Sequence, residues 1–223
     1  MARLKIYDDP NTDILSVSEV KEHLRVDHSD EDTYIGTLIK AATQVAENYC
    51  GGNFINHAYE LYMENWNDVY VSNSDTEKGF WFNTRKSPAN LKYGGYYSPY
   101  TGLYQILLTK APLASVEHIK YYDTNNAIQT WVNTEYNVLT FENQKGFVEI
   151  KNGSSLPDVY DRADAVEVRY HCGYGTSASD VPEAIKHAVL LIIGNLYEKR
   201  EDAVFKLPKV SEYLLDPYKI YNY

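Results

Sequence analysis

Two stretches of helical periodicity, one near each end of the chain, bracket about 120 residues that alternate as strands do. Ser16-Val17-Ser18-Glu19 reads as a capping box: the serine caps a short helix to about Leu24, and the glutamate reaches back. Ser29 is placed to cap a second helix over residues 30 to 50. Its apolar positions Ile35, Leu38, Ile39, Ala42, Val45, Ala46 and Tyr49 trace one stripe, and Gly51-Gly52 ends it. Near the other end Ala184, Ile185, Ala188, Val189, Leu191, Ile192 and Leu196 repeat the period, with Leu190 and Ile193 filling the other side. A helix apolar over so much of its circumference belongs at the centre of a bundle. Pro182 suits its first turn. Gly194 inside it costs up to about 1 kcal/mol relative to alanine, which close helix packing would explain. Leu207-Pro208 breaks the chain, and Val210 to Leu215 reads as a last short helix.

Between the helices lie short β-branched or aromatic runs: His57 to Met63, Tyr104 to Thr109, Val116 to Tyr122, Tyr136 to Phe141, Phe147 to Lys151 and Ala165 to His171. Asp123-Thr124-Asn125-Asn126 is a hairpin turn, because Asn tolerates positive φ. Val166, Val168 and Tyr170 alternate with Glu167 and Arg169, as in a sheet with one wet face. The pattern predicts antiparallel β of five to seven strands. Residues 66 to 102 are rich in Asn, Tyr, Gly, Ser and Pro and read as a long loop or hairpin arm. The expected fold class is α+β: a helical bundle formed by the N- and C-terminal helices, with a central antiparallel β insertion. Its parts are residues 1–52, 53–178 and 179–223, and no repeat is evident.

Composition narrows the function. Lys plus Arg is 21 and Asp plus Glu is 31, a formal charge of −10. That sign argues against a protein that wraps nucleic acid over its whole surface. Two cysteines exclude a disulfide-dense scaffold and a four-cysteine zinc site. The start has no apolar stretch, and the longest aliphatic run, Ala188 to Ile193, falls far short of the ~20 residues that cross a bilayer. The expectation is a soluble chain with no membrane partner, made and kept in a reducing cytoplasm. Tyrosines number 22 against 6 phenylalanines. That suits strands, and it equally suits contact surfaces, where a buried ring keeps a wet hydroxyl.

Chemistry is hard to find. There is no phosphate loop and no Gly-x-Ser-x-Gly elbow. Gly173-Tyr174-Gly175 follows what reads as an edge strand and is a turn. His171-Cys172 are neighbours on a strand and point to opposite faces. Glu183 and His187 share a helix face but lack the second histidine of a metalloprotease motif. Asp27 to Asp32 has calcium-loop acidity without the glycine or distant glutamate, and reads as acids at a helix N-terminus. Cys50 reads as a small buried hydrophobe. No catalytic set, metal site or cofactor is expected.

The charge map is more informative. Residues 8 to 32 hold nine acids and two bases; residues 78 to 116 hold five bases and no acid, interleaved with aromatics. Basic residues among aromatics suit single-stranded nucleic acid. They also suit a contact in which the basic arm of one subunit meets the acidic helical face of the next, a head-to-tail joint that closes into a ring. The bland reading is a solvated loop.

Several runs resemble the tailed-bacteriophage head–tail connector (head-completion adaptor) family. They are Ser16 to Asp27 (SVSEVKEHLRVD), the acids at 30 to 32, and the helix from Tyr34 to Tyr49 ending in Cys50-Gly51. Leu108 to Val116 followed by Ile119 to Asp123 matches the family's proline-leucine turn, strand and aromatic-aspartate hairpin. Val168 to Gly175, Val181 to Lys186, Tyr197 to Glu201 and Leu214 to Tyr218 follow in the family's order. Residues 66 to 102 depart from it, since the family's link there is shorter.

The resemblance implies a non-enzymatic protein of the virion neck, made in the host cytoplasm. It implies a ring, typically twelve-fold, beneath the portal protein, which extends the DNA channel and presents a platform to a stopper or tail-completion protein. Genomic DNA would pass without sequence-specific binding. On this reading Arg85, Lys86, Lys92, Tyr93, Tyr96, Tyr97 and Tyr100 form one side of the subunit contact. Glu19, Glu22, Asp27, Asp30, Glu31 and Asp32 form the other side or face the channel. Leu207, Pro208, Tyr213, Leu214, Tyr218 and Tyr221 are the portal-docking candidates. The rival reading is an aromatic β module for carbohydrate or single-stranded nucleic acid, with Trp81, Tyr96 and Tyr97 stacking on the ligand.

Overall fold

The computed structural model describes residues 2–10, 12–66, 96–97, 104–140, 145–200 and 207–220. The fold is α+β, and the chain divides into two units. One comprises Pro10–Asn56 and Gly173–Tyr221; the other comprises Met1–Asp9, His57–Cys172 and Asn222–Tyr223.

Among the described residues the first unit holds four α-helices. Helix α1 (Val17–Leu24) begins at the capping box: Ser16 Oγ accepts from Glu19 N at 3.2 Å, and Ser16 N donates to Glu19 Oε2 at 2.7 Å. Helix α2 (Asp32–Cys50) starts later than Ser29 would dictate. Its N-cap is Glu31, which makes no side-chain cap bond; Ser29 instead offers its carbonyl to Asp32 N at 3.2 Å, so the serine closes a turn. Gly51 ends α2 at φ 77°, a left-handed conformation suited to glycine. Pro182 occupies the N-cap of α3 (Glu183–Glu198), one position before the expected first turn, and Pro208 the N-cap of α4 (Lys209–Leu215).

The stripes read from the sequence are the buried faces. Ile35, Leu38, Ile39, Ala42 and Ala46 of α2 pack with Ile185, Ala188, Val189, Ile192 and Ile193 of α3, and Val20 and Leu215 join them. Burying each large aliphatic side chain contributes about 1.5–3 kcal/mol. Close packing does not explain Gly194, contrary to expectation. A Cβ there would meet only His23 Nε2, at 3.7 Å, and a Cβ at Gly36 would meet nothing within 4 Å. Gly36→Ala and Gly194→Ala are each expected to stabilise the chain by about 0.5–1 kcal/mol. The check is a higher urea midpoint at unchanged slope.

The second unit holds two sheets. Strands β1 (Arg3–Asp8), β2 (His57–Met63), β5 (Leu113–Tyr122), β6 (Ile128–Thr130) and β9 (Val166–Cys172) form one in the order β1-β2-β9-β5-β6. Strands β3 (Tyr96–Tyr97), β4 (Tyr104–Leu107), β7 (Tyr136–Leu139) and β8 (Phe147–Ile150) form the other, in the order β3-β4-β8-β7. Every paired neighbour is antiparallel. Their facing side chains share one core that includes Leu61, Ile119 and Val168 from the first sheet and Ile106, Val148 and Ile150 from the second.

Three expectations are corrected. Among the described residues the middle region holds eight strands rather than five to seven, the extra ones being two or three residues long. A further strand, β1, lies in the N-terminal segment, where the sequence reading found none. Strand β9 is the centre of its sheet, not an edge. The predicted turn forms after β5: Asp123 Oδ1 accepts from Asn125 N (2.9 Å) and Ala127 N (3.0 Å), and Asn126 sits at φ 60°.

Candidate assembly surfaces

The acidic segment is not a uniform face. Glu19 is consumed by the α1 capping box. Asp32 pairs with Lys21 Nζ at 2.8 Å. Glu31 accepts from the Tyr197 hydroxyl and from Arg200 Nη2 at 2.6 Å, tying the start of α2 to the end of α3. These bonds hold the Glu31 carboxyl below its ordinary range and push the Tyr197 phenol up. Glu22, Asp27 and Asp30 are exposed, with His28 Nδ1 3.9 Å from Asp30. Three of the six acids thus bond within the helical unit, and four of the six, Glu19 among them, are exposed.

The C-terminal candidates divide in the same way. Leu207, Leu214 and Tyr218 are partly buried against the helical core, and Pro208 caps α4. The segment beyond α4 is fastened to the end of α2. Ile220 N donates to Cys50 O at 2.7 Å, the Tyr49 hydroxyl donates to Asp216 Oδ1 at 2.6 Å, and Lys219 Nζ lies 4.4 Å from the Tyr49 ring centre. The bond to Asp216 pushes the Tyr49 phenol up to about 12. Tyr213, 74% exposed, and Val210, three residues earlier, project together from α4.

On the basic arm, Tyr96 and Tyr97 form β3, while Arg85, Lys86, Lys92, Tyr93 and Tyr100 lie outside the described residues, as do Trp81 and Tyr221.

The sequence reading missed a charged network on the outer face of the five-stranded sheet. Glu60 on β2, buried to 2%, accepts from Arg169 Nη2 (2.6 Å), Tyr62 Oη (2.7 Å) and Lys5 Nζ (3.3 Å). The Arg169 guanidinium also lies 3.8 Å from the Tyr7 ring centre and 3.5 Å from Glu117. His118 in turn pairs with both Glu117 and Glu167, and His171 with Glu117. Burial pushes the Glu60 carboxyl up, but its three donors outweigh that and hold it below the ordinary range. Glu60 follows Tyr59 and precedes Leu61, both turned to the core, and the register that sets it opposite Arg169 makes the pair.

Both cysteines are free and buried. Burial pushes the Cys50 thiol up to about 12 and that of Cys172 higher still. Glu183 pairs with Lys186 at 2.5 Å. Among the described residues no three His, Cys, Asp or Glu side chains converge as metal ligands, and no helix is long and apolar enough to cross a membrane.

Residues 14–85 match the family model of the phage gp6-like head-tail connector protein. A solved chain from the neck of an empty gene transfer agent (GTA) particle, computed with C6 symmetry, superposes with TM-score 0.69 at 19% identity. The match covers 99% of this chain and 97% of that one. A chain of the native GTA virion gives 0.68 at 18% identity (99% and 96% covered). One from the native neck, computed with C12 symmetry, gives 0.67 at 18% (99% and 97%). A comparison with curated proteins finds no match. The resemblance to head–tail connectors is thereby shown: the family model spans the N-terminal motifs, and the described residues share the fold of these neck chains.

Proposed function

We propose that the protein is a structural component of a virion neck, a head–tail connector without enzymatic activity. It assembles as a ring under the portal, extends the DNA channel, and presents the surface to which a stopper or tail-completion protein attaches. The helices of the two chain ends form the bundle, and the strands are an insertion into it. The observation that carries this reading is the near-complete match to neck chains, joined to the connector family model at residues 14–85.

Charge supports it. Glu22, Asp27 and Asp30 present carboxylates that repel DNA phosphates, as a channel that must not grip its cargo requires. The same acids complement the bases of the arm, Arg85, Lys86 and Lys92. Val210 and Tyr213 give α4 an exposed apolar face for the portal. Native mass measurement with and without a portal ring tests the function; a multi-subunit ring bound to portal is the expected result, and a chain that ignores portal refutes it. Lys86→Glu with Lys92→Glu is expected to weaken the ring, as is 1 M salt, which shortens screening to about 3 Å. Oligomer mass unchanged by both removes the charge-driven contact. Portal binding that survives truncation at Pro208 removes the docking role of the tail.

A further inference from the structure

Strand β6 is one open edge of the five-stranded sheet, and β1 is the other. Asp123 N donates to Ala127 O at 2.9 Å, and Trp131 N donates to Ile119 O at 2.8 Å. Residues that bond inward alternate with residues that face outward in an antiparallel ladder. Ala127, Gln129 and Trp131 therefore turn toward β5, while Ile128 and Thr130 turn their backbone N–H and C=O groups away from it. Among the described residues nothing takes those groups.

Native sheets usually blunt such an edge with charge, proline or a bulge. Strand β1 carries Arg3, Lys5 and Asp8, and its register shifts only between Ile6 and Asp8, so Arg3 to Ile6 stay in continuous register. Among the described residues β6 has none of these devices. The run Ala127–Val132 (AIQTWV) has no charge, proline or glycine, and its pairing with β5 has no shift. Ile128 is 60% and Val132 54% exposed.

We infer that β6 is the edge onto which β1 of a second copy adds, joining the five-stranded sheets of neighbouring subunits; this rests on the ring-forming reading above. Three features single out that occupant. First, the five strands alternate in direction, so β1 and β6 run the same way. A copy carried round an axis that the strands follow keeps its strand direction, and its β1 arrives parallel to β6. Each copy then offers one edge of each kind, the condition for a heterologous contact that closes. Second, β1 also exposes apolar side chains, Ile6 and Tyr7. Third, parallel alignment brings the end of β1 that carries Arg3 to the end of β6 that adjoins Asp123.

Hydrogen exchange on the full chain, free and assembled on portal rings, tests this. The Ile128 and Thr130 amides are expected to slow by about tenfold or more in the ring, which corresponds to ~1.4 kcal/mol. Thr130→Pro removes an outward N–H, which an edge strand tolerates. It should keep the free chain's unfolding midpoint while reducing ring formation by a similar factor. Gln129→Pro removes an inward bond and should lower the midpoint itself. A ring in which both amides exchange as in the free chain overturns the edge contact and leaves the connector reading intact. A chain that never assembles beside portal overturns both.

Discussion

Replacing Arg169 by leucine is expected to destabilise the protein by about 3 kcal/mol, because it leaves Glu60 buried without its closest cation. Lys5 and the Tyr62 hydroxyl remain, but Lys5 is the more distant and largely exposed partner. The double variant Glu60→Leu with Arg169→Leu removes both charges and should recover much of the loss, since an apolar pair of similar volume is often as stable as a buried ion pair. Urea unfolding of the two single variants and the double closes the cycle. A single-variant loss below about 0.5 kcal/mol would mean the pair behaves as a surface salt bridge. The pH dependence has a fixed sign. The Glu60 carboxyl is held below its ordinary range, so its contribution is fully present above the unfolded value near 4.3. It is lost as pH falls through the lower folded value. Without Arg169 that loss on acidification should shrink.

Gly173→Ala is expected to cost about 3 kcal/mol or more, by steric conflict and backbone strain together. Gly173 sits at φ 145°, and a Cβ there would lie 2.5 Å from Asn56 N and from Ile55 C. The backbone cannot retreat, because Tyr174 N donates to Phe54 O at 3.0 Å and Asn56 N to Gly175 O at 2.8 Å. Gly153→Ala separates the two causes. Its φ is 92°, but a Cβ there meets nothing within 4 Å, so only the conformational cost of about 1 kcal/mol applies. Thermal midpoints should order as wild type, then Gly153→Ala, then Gly173→Ala. Equal losses at the two sites would remove the steric argument.

Gly173 also shows how far local reading reaches. The pair Gly173 and Gly175 was legible as a turn, but the turn's role is to let one backbone approach another, and sequence spacing carries no record of that approach. The helical stripes were legible because period 3.6 recurs over three or more turns: Ile35 to Tyr49 and Ile185 to Ile193 reappear as buried faces. The capping box was legible because its reciprocal bonds join Ser16 to Glu19, three positions along the chain. Strands β1 and β6 escaped notice because six and three residues hold too little alternation to rise above composition. Of the acids read as one surface, Glu31 and Asp32 also hold partners within the chain that the sequence did not show; Arg200 and Tyr197, more than 160 positions away, bond the first.

The sequence by itself determined the helical stripes, the capping box of α1, six of the strands, the alternating faces of β9 and the connector resemblance. All of these depend on residues a few positions apart. Tertiary structure alone decided that β9 is central, that Glu60 faces Arg169, and that the two open edges of one sheet differ in their protection. The physical reason is that strand order and register arise from pairing between distant segments. A one-residue slip in that pairing would exchange every buried side chain for its exposed neighbour.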